Sequence, residues 1–284
     1  MYLSAERLAL ANHTIKETFE HTSIAWQAIP HWDTGDPGQS RVPDDVVNNP
    51  GFLNLDLDHK DFQVTLVQTV APTPDSLIAE VNLATTQLAQ SFDQTVLWTL
   101  ALWAFFNHTV PYHALPPSSL LSALIEARAH VEDQGYRAPS CLVTNTQGLK
   151  DLSDLSAGYP VTDQLLAAAH VNSLHRTSLY DFANIQAVHP NDDPAVDPGG
   201  VAILKPPTVM VMVGRRQLIA HGGACYASPG EEPVDIAVSV LPSLEVVGET
   251  VNSQVELSVR IRFALRVKDP TPLVLLYGTP VVFP

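Results

Sequence analysis

The chain has 284 residues, 45% hydrophobic and only 16% charged, enough to build one large core or two ordinary ones. Against 30 Asp and Glu stand 15 Lys and Arg, a formal net charge of -15, which excludes a general nucleic-acid binder because such a protein must neutralise phosphate. No window approaches the ~20 apolar residues of a membrane span, and the opening MYLSAERLALANHT lacks the basic-then-apolar order of a signal peptide.

In chain order, residues 1–11 predict a short amphipathic helix with Leu3, Leu8 and Leu10 as its apolar points. The stretch 26–51 is dense in Pro, Gly, Asp and Asn and reads as an extended arm and loop. Residues 52–70 alternate, first through Leu53, Leu55 and Leu57, then through Phe62, Val64 and Leu66. That pattern predicts either two strands of a hairpin or one strand with a bulge near His59-Lys60. Asp75 reads as the N-cap of a long helix, about 76–106, whose stripe is Leu77, Val81, Ala84, Leu88, Phe92 and Leu97. Its end, VLWTLALWAFF, is apolar on every side and predicts deep burial.

A loop with Pro111, Pro116 and Pro117 leads to a second helix, 118–134, closed by Gly135. Then come a strand at 140–144, short helices at 148–156 and 161–170, and a Pro/Gly-rich surface loop at 187–200. Strands are expected at 208–213, 217–220 and 234–247, with Gly214-Arg215-Arg216 as a hairpin turn or, alternatively, a basic piece that holds a phosphate. A pair of strands ends the chain. No linker separates independent domains, so the two halves are expected to interleave.

Motifs that carry chemistry are few. Asp56, Asp58, His59 and Asp61 place oxygen and nitrogen ligands close together, and on an extended strand Asp56 and Asp58 share a face. The same residues also read as the solvated face of a strand. His108/His113 and His170/His175 are five apart, not the i, i+4 of a helical zinc pair, and His31 sits in the arm. His221-Gly222-Gly223-Ala224-Cys225 places a thiol near a histidine, or simply makes a tight loop. Cys141 and Cys225 read as free thiols of a reducing compartment, with a disulfide left open. These readings imply a cytoplasmic protein with no cofactor, no bound metal and no catalytic residue.

The segment VELSVRIRFALRVKDPTPLVLLYG, 255–278, is unusual. Val255, Leu257, Val259, Ile261, Phe263, Leu265 and Val267 share one parity, while Arg260, Arg262, Arg266 and Lys268 share the other, with Ala264 the single lapse. An acidic chain that lines one strand face with cations is expected to cover that face with another segment or another copy. Arg260, Arg262, Arg266 and Lys268, with Asp56 and Asp58 as acidic partners, are the predicted subunit-interface residues.

Three segments, in order, resemble the encapsulins, bacterial nanocompartment shell proteins. In LAQSFDQTVLWT, 88–99, Asp93 matches an acidic position ahead of the apolar pair Val96 and Leu97. In 135–165, Ala138-Pro139-Ser140-Cys141-Leu142-Val143 matches a G-P-x-x-L-V strand with Ala138 in place of glycine, and Ala157-Gly158-Tyr159-Pro160 a G-x-Y-P-like turn. Phe263, Arg266, Val267 and Pro270 match the closing F-x-x-R-V-x-x-P. The resemblance spans about two thirds of the chain. It implies an α+β HK97-like capsid fold with an N-terminal arm, an extended loop hairpin, a peripheral domain on a long spine helix, and a mixed axial domain. The implied segments are 1–30 for helix and arm, 31–70 for the extended loop, and 71–180 for the peripheral domain and the start of the axial one. The axial domain proper is 181–250, and strands 251–284 return to the peripheral domain. Only Asp36-Pro37-Gly38 stands for the family's Gly/Pro-rich segment before the loop, and the axial part is enlarged near 190–207.

The implied function is that of a non-enzymatic subunit of an icosahedral shell, T=1 or larger. Its partners are copies of itself and a cargo enzyme in the lumen, with no direct nucleic acid and no membrane. Leu3, Leu8 and Leu10 are the residues for cargo docking. The alternative is a tailed-phage or prophage major capsid protein; the lack of a long scaffolding segment before residue 30 favours the nanocompartment. A remoter alternative is a metal-dependent enzyme using Asp56–Asp61.

Overall fold

The Ser4 hydroxyl accepts the Arg7 amide and starts the first helix, α1 (Ala5–Thr22). The structure, a computed structural model, describes residues 3–46, 50–113, 117–153, 155–156, 159–182, 185–186, 203–204, 208–250 and 254–279. Helix α1 extends well beyond residue 11. Its buried face is Ala11, Ile15 and Phe19, so the stripe lies further along than Leu3, Leu8 and Leu10 indicated. After α2 (Ile24–Ala28) the described part of the arm is extended and carries the short strands β1 (His31–Asp33) and β2 (Arg41–Pro43).

Strands β3 (Phe52–Asn54) and β4 (Asp56–Thr65) are not hairpin partners: β3 pairs with β2, and β4 with a C-terminal strand. The ladder of β4 runs unbroken through His59 and Lys60, so no bulge lies there. At Thr65 a capping box with Gln68 turns the chain into α3 (Leu66–Val70), where alternation had implied more strand. Helix α4 (Asp75–Asn107) follows. Asp75 is already helical and the Ile78 amide bonds the Pro74 carbonyl, which moves the cap to Pro74. All six stripe residues from Leu77 to Leu97 are buried. The VLWTLALWAFF end is buried on one side only, through Val96, Leu97, Leu100, Ala101 and Ala104, while Trp98, Leu102, Trp103 and Phe105 are partly open and Phe106 is exposed.

Strand β5 (Thr109–His113) forms where a loop was expected; it is an edge strand, so Pro111 costs the ladder little. Helix α5 (Pro117–Asp133) ends at Gly135, whose φ of 87° lets the Tyr136 amide reach the Val131 carbonyl and its own amide that of Glu132. Next come β6 (Ala138–Thr144) and α6 (Thr146–Leu152), capped by Asn145. Then follow the two-residue β7 (Leu155–Ser156) and β8 (Tyr159–Pro160), helix α7 (Thr162–Ala168) and β9 (Val171–Arg176). The chain continues with β10 (Ile185–Gln186), β11 (Ile203–Leu204), β12 (Val209–Arg215), β13 (Val234–Glu249), β14 (Gln254–Val267) and β15 (Leu273–Thr279). Residues 217–220 form no strand and Gly214-Arg215-Arg216 no hairpin, because Arg215 still belongs to β12 and the chain then enters a loop. The 187–200 loop and Ala157-Gly158 lie outside the described residues.

The chain divides into two compact units, each drawn from three stretches. The first holds Met1–Gln27, His31–Gln94 and Asp235–Arg266. Its four-stranded sheet runs β1-β13-β14-β4, and an edge-to-face cluster of Phe19, Trp26, Phe92 and Phe263 fills its core. The second holds Ala28–Pro30, Thr95–Val234 and Val267–Pro284, with a five-stranded sheet, β5-β15-β12-β6-β9. Its apolar core includes Leu124, Leu142, Met210, Met212 and Leu276. Strands β14 and β15, expected to be a pair, therefore serve different sheets.

Candidate functional site

The arginine-bearing strand β14 alternates as its sequence requires from Val255 to Phe263, with every apolar residue of that parity buried. At Ala264 the parity of burial switches. Ala264 and Arg266 face inward, and Leu265 and Val267 are only half-buried. Arg266 is thus 4% exposed, and its fork grips Asp235, itself 0% exposed, through Nε at 2.7 Å and Nη2 at 2.8 Å. Its Nη1 reaches Asp45 at 2.5 Å and the Pro43 carbonyl at 3.2 Å, and the guanidinium lies 4.9 Å from the centre of the Trp32 ring. Burial works to lower the Arg266 pKa, but the hydrogen bonds and charges of Asp235, then Asp45, outweigh it and the net shift is upward. This side chain clamps the arm to the sheet within one chain.

The other cations are placed differently. Arg260 donates through Nη1 to Glu245 at 2.5 Å, and its Nε is buried with no hydrogen-bond partner. Arg262 makes one exposed bond, to the Pro37 carbonyl at 3.2 Å. Lys268 binds the Pro229 and Gly230 carbonyls at 2.6 and 3.3 Å.

The register of β4 against β14 separates the proposed acids from these arginines. Asp56 lies opposite Phe263 and Asp58 opposite Ile261, on the apolar face. Arg260 faces His59, Arg262 faces Leu57 and Ser258 faces Asp61. Asp61 and Glu256 share the arginine face by register, and Glu245 joins it through Arg260. The pleat likewise splits the Asp56–Asp61 cluster: Lys60 approaches Asp58 at 3.9 Å and His59 approaches Asp61 at 3.6 Å. Among the described residues no group of three or more His, Cys, Asp or Glu is arranged to hold a metal ion.

Of the remaining candidates, Asp93 caps α2: its carboxylate accepts the Ser23 hydroxyl at 2.5 Å and the Ile24 and Ala25 amides at 2.9 Å each. Burial raises its pKa to about 6 against the lowering effect of those bonds. His108 stacks on His130 at 3.9 Å, and His113 meets Thr279. His31 stacks on Trp26. The loop at His221 turns at Gly222 (φ 74°) and leaves Cys225 exposed, while the His221 ring stacks on buried His175 at 4.6 Å. Cys141 is buried, and burial raises its pKa. Both thiols are free.

Sequence reading missed the apolar surface of the first unit. Val67 and Val70 on α3 and Phe52 on β3 are each 74% exposed, and Leu83 on α4 is 56% exposed. The signal was present as Thr65-x-x-Gln68, a capping box that announces a helix and thus a different set of outward residues. Arg7 fixes the far end of α3 by donating to the carbonyls of Gln68, Thr69 and Ala71.

Known proteins share this architecture. The chain is similar to the virus-like particle protein of Pyrococcus furiosus over 96% of its length and 100% of that chain, at 13% identity and a TM-score of 0.64. A phage-related protein from Bordetella bronchiseptica aligns over 94% of this chain and 96% of its own, at 12% identity and a TM-score of 0.62. The capsid of cyanophage P-SCSP1u aligns over 89% and 81%, at 10% identity and a TM-score of 0.51. No protein-family model matches the chain, and no curated protein does. At these identities the likeness is one of fold, and the fold is the α+β HK97-type capsid fold. No helix among the described residues is long and apolar enough to cross a membrane.

Proposed function

We propose that this chain is a non-enzymatic shell subunit that assembles with copies of itself into a closed icosahedral compartment around a cargo protein, in the manner of an encapsulin. The observation that carries the reading is the end-to-end likeness to a virus-like particle protein, with neither chain left with a large unmatched part. The exposed Phe52, Val67, Val70 and Leu83 supply apolar surface of the kind that contacts between copies cover. The arginine face of β14, with Arg260 and Arg262, supplies the charged part of such a contact. Arg266 serves it indirectly, by holding the arm.

The motif positions shared with encapsulins have structural work in this chain: Asp93 caps a helix and Arg266 anchors the arm. They support the shell fold more strongly than any cargo. For cargo, helix α1 is the proposed docking element. Leu10, 40% exposed, is its accessible apolar side chain, since Leu3 is buried and Leu8 half-buried. A phage or prophage capsid is the second reading, favoured by the cyanophage likeness.

Electron microscopy of the chain expressed alone tests the proposal. Uniform hollow particles are expected, whereas a monomer of 30.8 kDa in light scattering would sink both readings. Nuclease-resistant DNA inside the particles would select the phage reading, and a co-purifying protein the compartment.

A further inference from the structure

An open groove of about 690 Å³ lies at one end of the five-stranded sheet, where β6 and β9 begin and β12 ends. All of its lining belongs to the second unit. Among the described residues, the titratable side chains that line it are Arg137, His170 and Arg216, with no carboxylate. That is a local inversion in a chain with twice as many acids as cations.

Each basic side chain is held or left available. Arg137 is exposed and has no hydrogen-bond or ion-pair partner among the described residues. Arg216 is positioned: its guanidinium lies 4.7 Å from the centre of the Tyr136 ring and gives one hydrogen bond to the Tyr136 hydroxyl, while the Glu232 carboxylate takes its backbone amide. That arrangement leaves most of its fork unused. His170 sits at φ 53°, a left-handed conformation unfavourable for a residue with a side chain, directly after α7. Its backbone carbonyl is tied to the Ser140 amide at 2.8 Å, which fixes the groove wall. Glu132, which takes Arg128 at 2.6 Å, also lies 3.9 Å from the His170 ring, and the charges of Asp269 and Glu232 act on Arg216, so Arg137 is the guanidinium least engaged by acids. Leu218, 77% exposed, and Pro139 add apolar surface to the lining.

We propose that this groove docks an acidic peptide segment of a protein partner, with its carboxylates on Arg137 and Arg216 and an adjacent aliphatic side chain against Leu218. The free fork of Arg137 and the unused donors of Arg216 match carboxylates in geometry. An exposed leucine beside them favours a peptide over a bare anion. The site is built within one unit of one chain and does not depend on the shell reading.

Fluorescence anisotropy with the full chain tests it, using a labelled peptide rich in Leu, Asp and Glu and its twin with Asn and Gln at the acidic positions. The acidic peptide is expected to bind about tenfold or more tightly than the twin, with the preference shrinking as salt rises. Arg137→Glu, which touches no packed partner, is expected to weaken it about tenfold, and Leu218→Ser about threefold. Equal binding of the twin, or unchanged binding by Arg137→Glu with a native circular-dichroism spectrum, overturns the proposal. So does displacement by inorganic phosphate combined with indifference to Leu218→Ser, which marks a simple anion site.

Discussion

Arg266 in the first unit and Arg215 in the second are both nearly inaccessible, at 4% and 2% exposure, yet they are neutralised in different ways. Arg266 meets two carboxylates directly. Arg215 donates to two carbonyls, Ala28 at 2.7 Å and Ile219 at 3.3 Å, and its charge acts on His175, Cys141 and Glu232 with no ion-pair contact among the described residues. A buried charge against a charge is a joint that fails when either member is removed. A buried charge solvated by carbonyls is a softer joint whose field reaches its titratable neighbours.

The sharpest way to break this contrast is Asp235→Ala, which leaves Arg266 buried with only Asp45 and the Pro43 carbonyl. A loss of about 3–5 kcal/mol is expected in denaturant unfolding. Replacing the pair together, Arg266→Met with Asp235→Leu, is expected to recover most of that loss. A single substitution costing no more than the double one would show that the clamp is not an obligate pair.

Acid sharpens the contrast next. Burial, then His221 and Arg215, lower the His175 pKa from 6.5 to about 4. Between those values the folded state binds fewer protons than the unfolded one, so stability falls as pH drops, by up to about 1.4 kcal/mol per unit. Asp93 has the opposite sign. Its pKa rises from 3.8 to about 6, so the folded state binds more protons in that window, and its contribution grows as pH drops through 6. Hydrogen exchange between pH 6.5 and 4.5 is expected to show β9 amides losing protection while those of α2 keep theirs. His175→Gln should flatten the first response. Smaller again is Arg215→Met, expected to cost about 1–3 kcal/mol through the Ala28 carbonyl it leaves unmet, the Ile219 carbonyl keeping the Asn172 amide, and to weaken the acid response because His175 titrates closer to its ordinary value once that charge is gone.

Much of the fold was legible where burial follows a period. The stripe of α4 and the alternation of β14 from Val255 to Phe263 are each repeated apolar signals along one element. What failed depended on partners distant in sequence. Arg266 reads as a surface cation because nothing local announces Asp235, 31 positions earlier, and Ala264 is too small to mark the change of parity. Pro111 reads as a loop until β5 is seen at a sheet edge. Asp56 and Asp58 were matched with the arginines on charge alone, whereas a face is set by register, which only the pairing of β4 with β14 reveals. The groove was invisible because Arg137, His170 and Arg216 come from three separate connections.

The smallest expected effect on folding, and the most telling for function, belongs to Arg262. Its one exposed bond to the Pro37 carbonyl makes Arg262→Glu nearly neutral for stability, within about 0.5 kcal/mol. On the same face stand Leu57, 45% exposed opposite it, and the Arg260–Glu245 pair, so the patch combines charge with apolar surface as contacts between copies do. A reversed charge there should lower particle yield at low ionic strength, with much of the deficit removed near ~0.5 M salt, where the Debye length falls to about 4 Å. Arg266→Lys gives the matching control. It keeps the charge but breaks the two-pronged grip on Asp235, so it should damage folding first and assembly only as a consequence. If Arg262→Glu assembles like the parent at every salt concentration, the exposed half of the strand has no part in the contact, and the apolar surface around Val67 and Val70 must carry it alone.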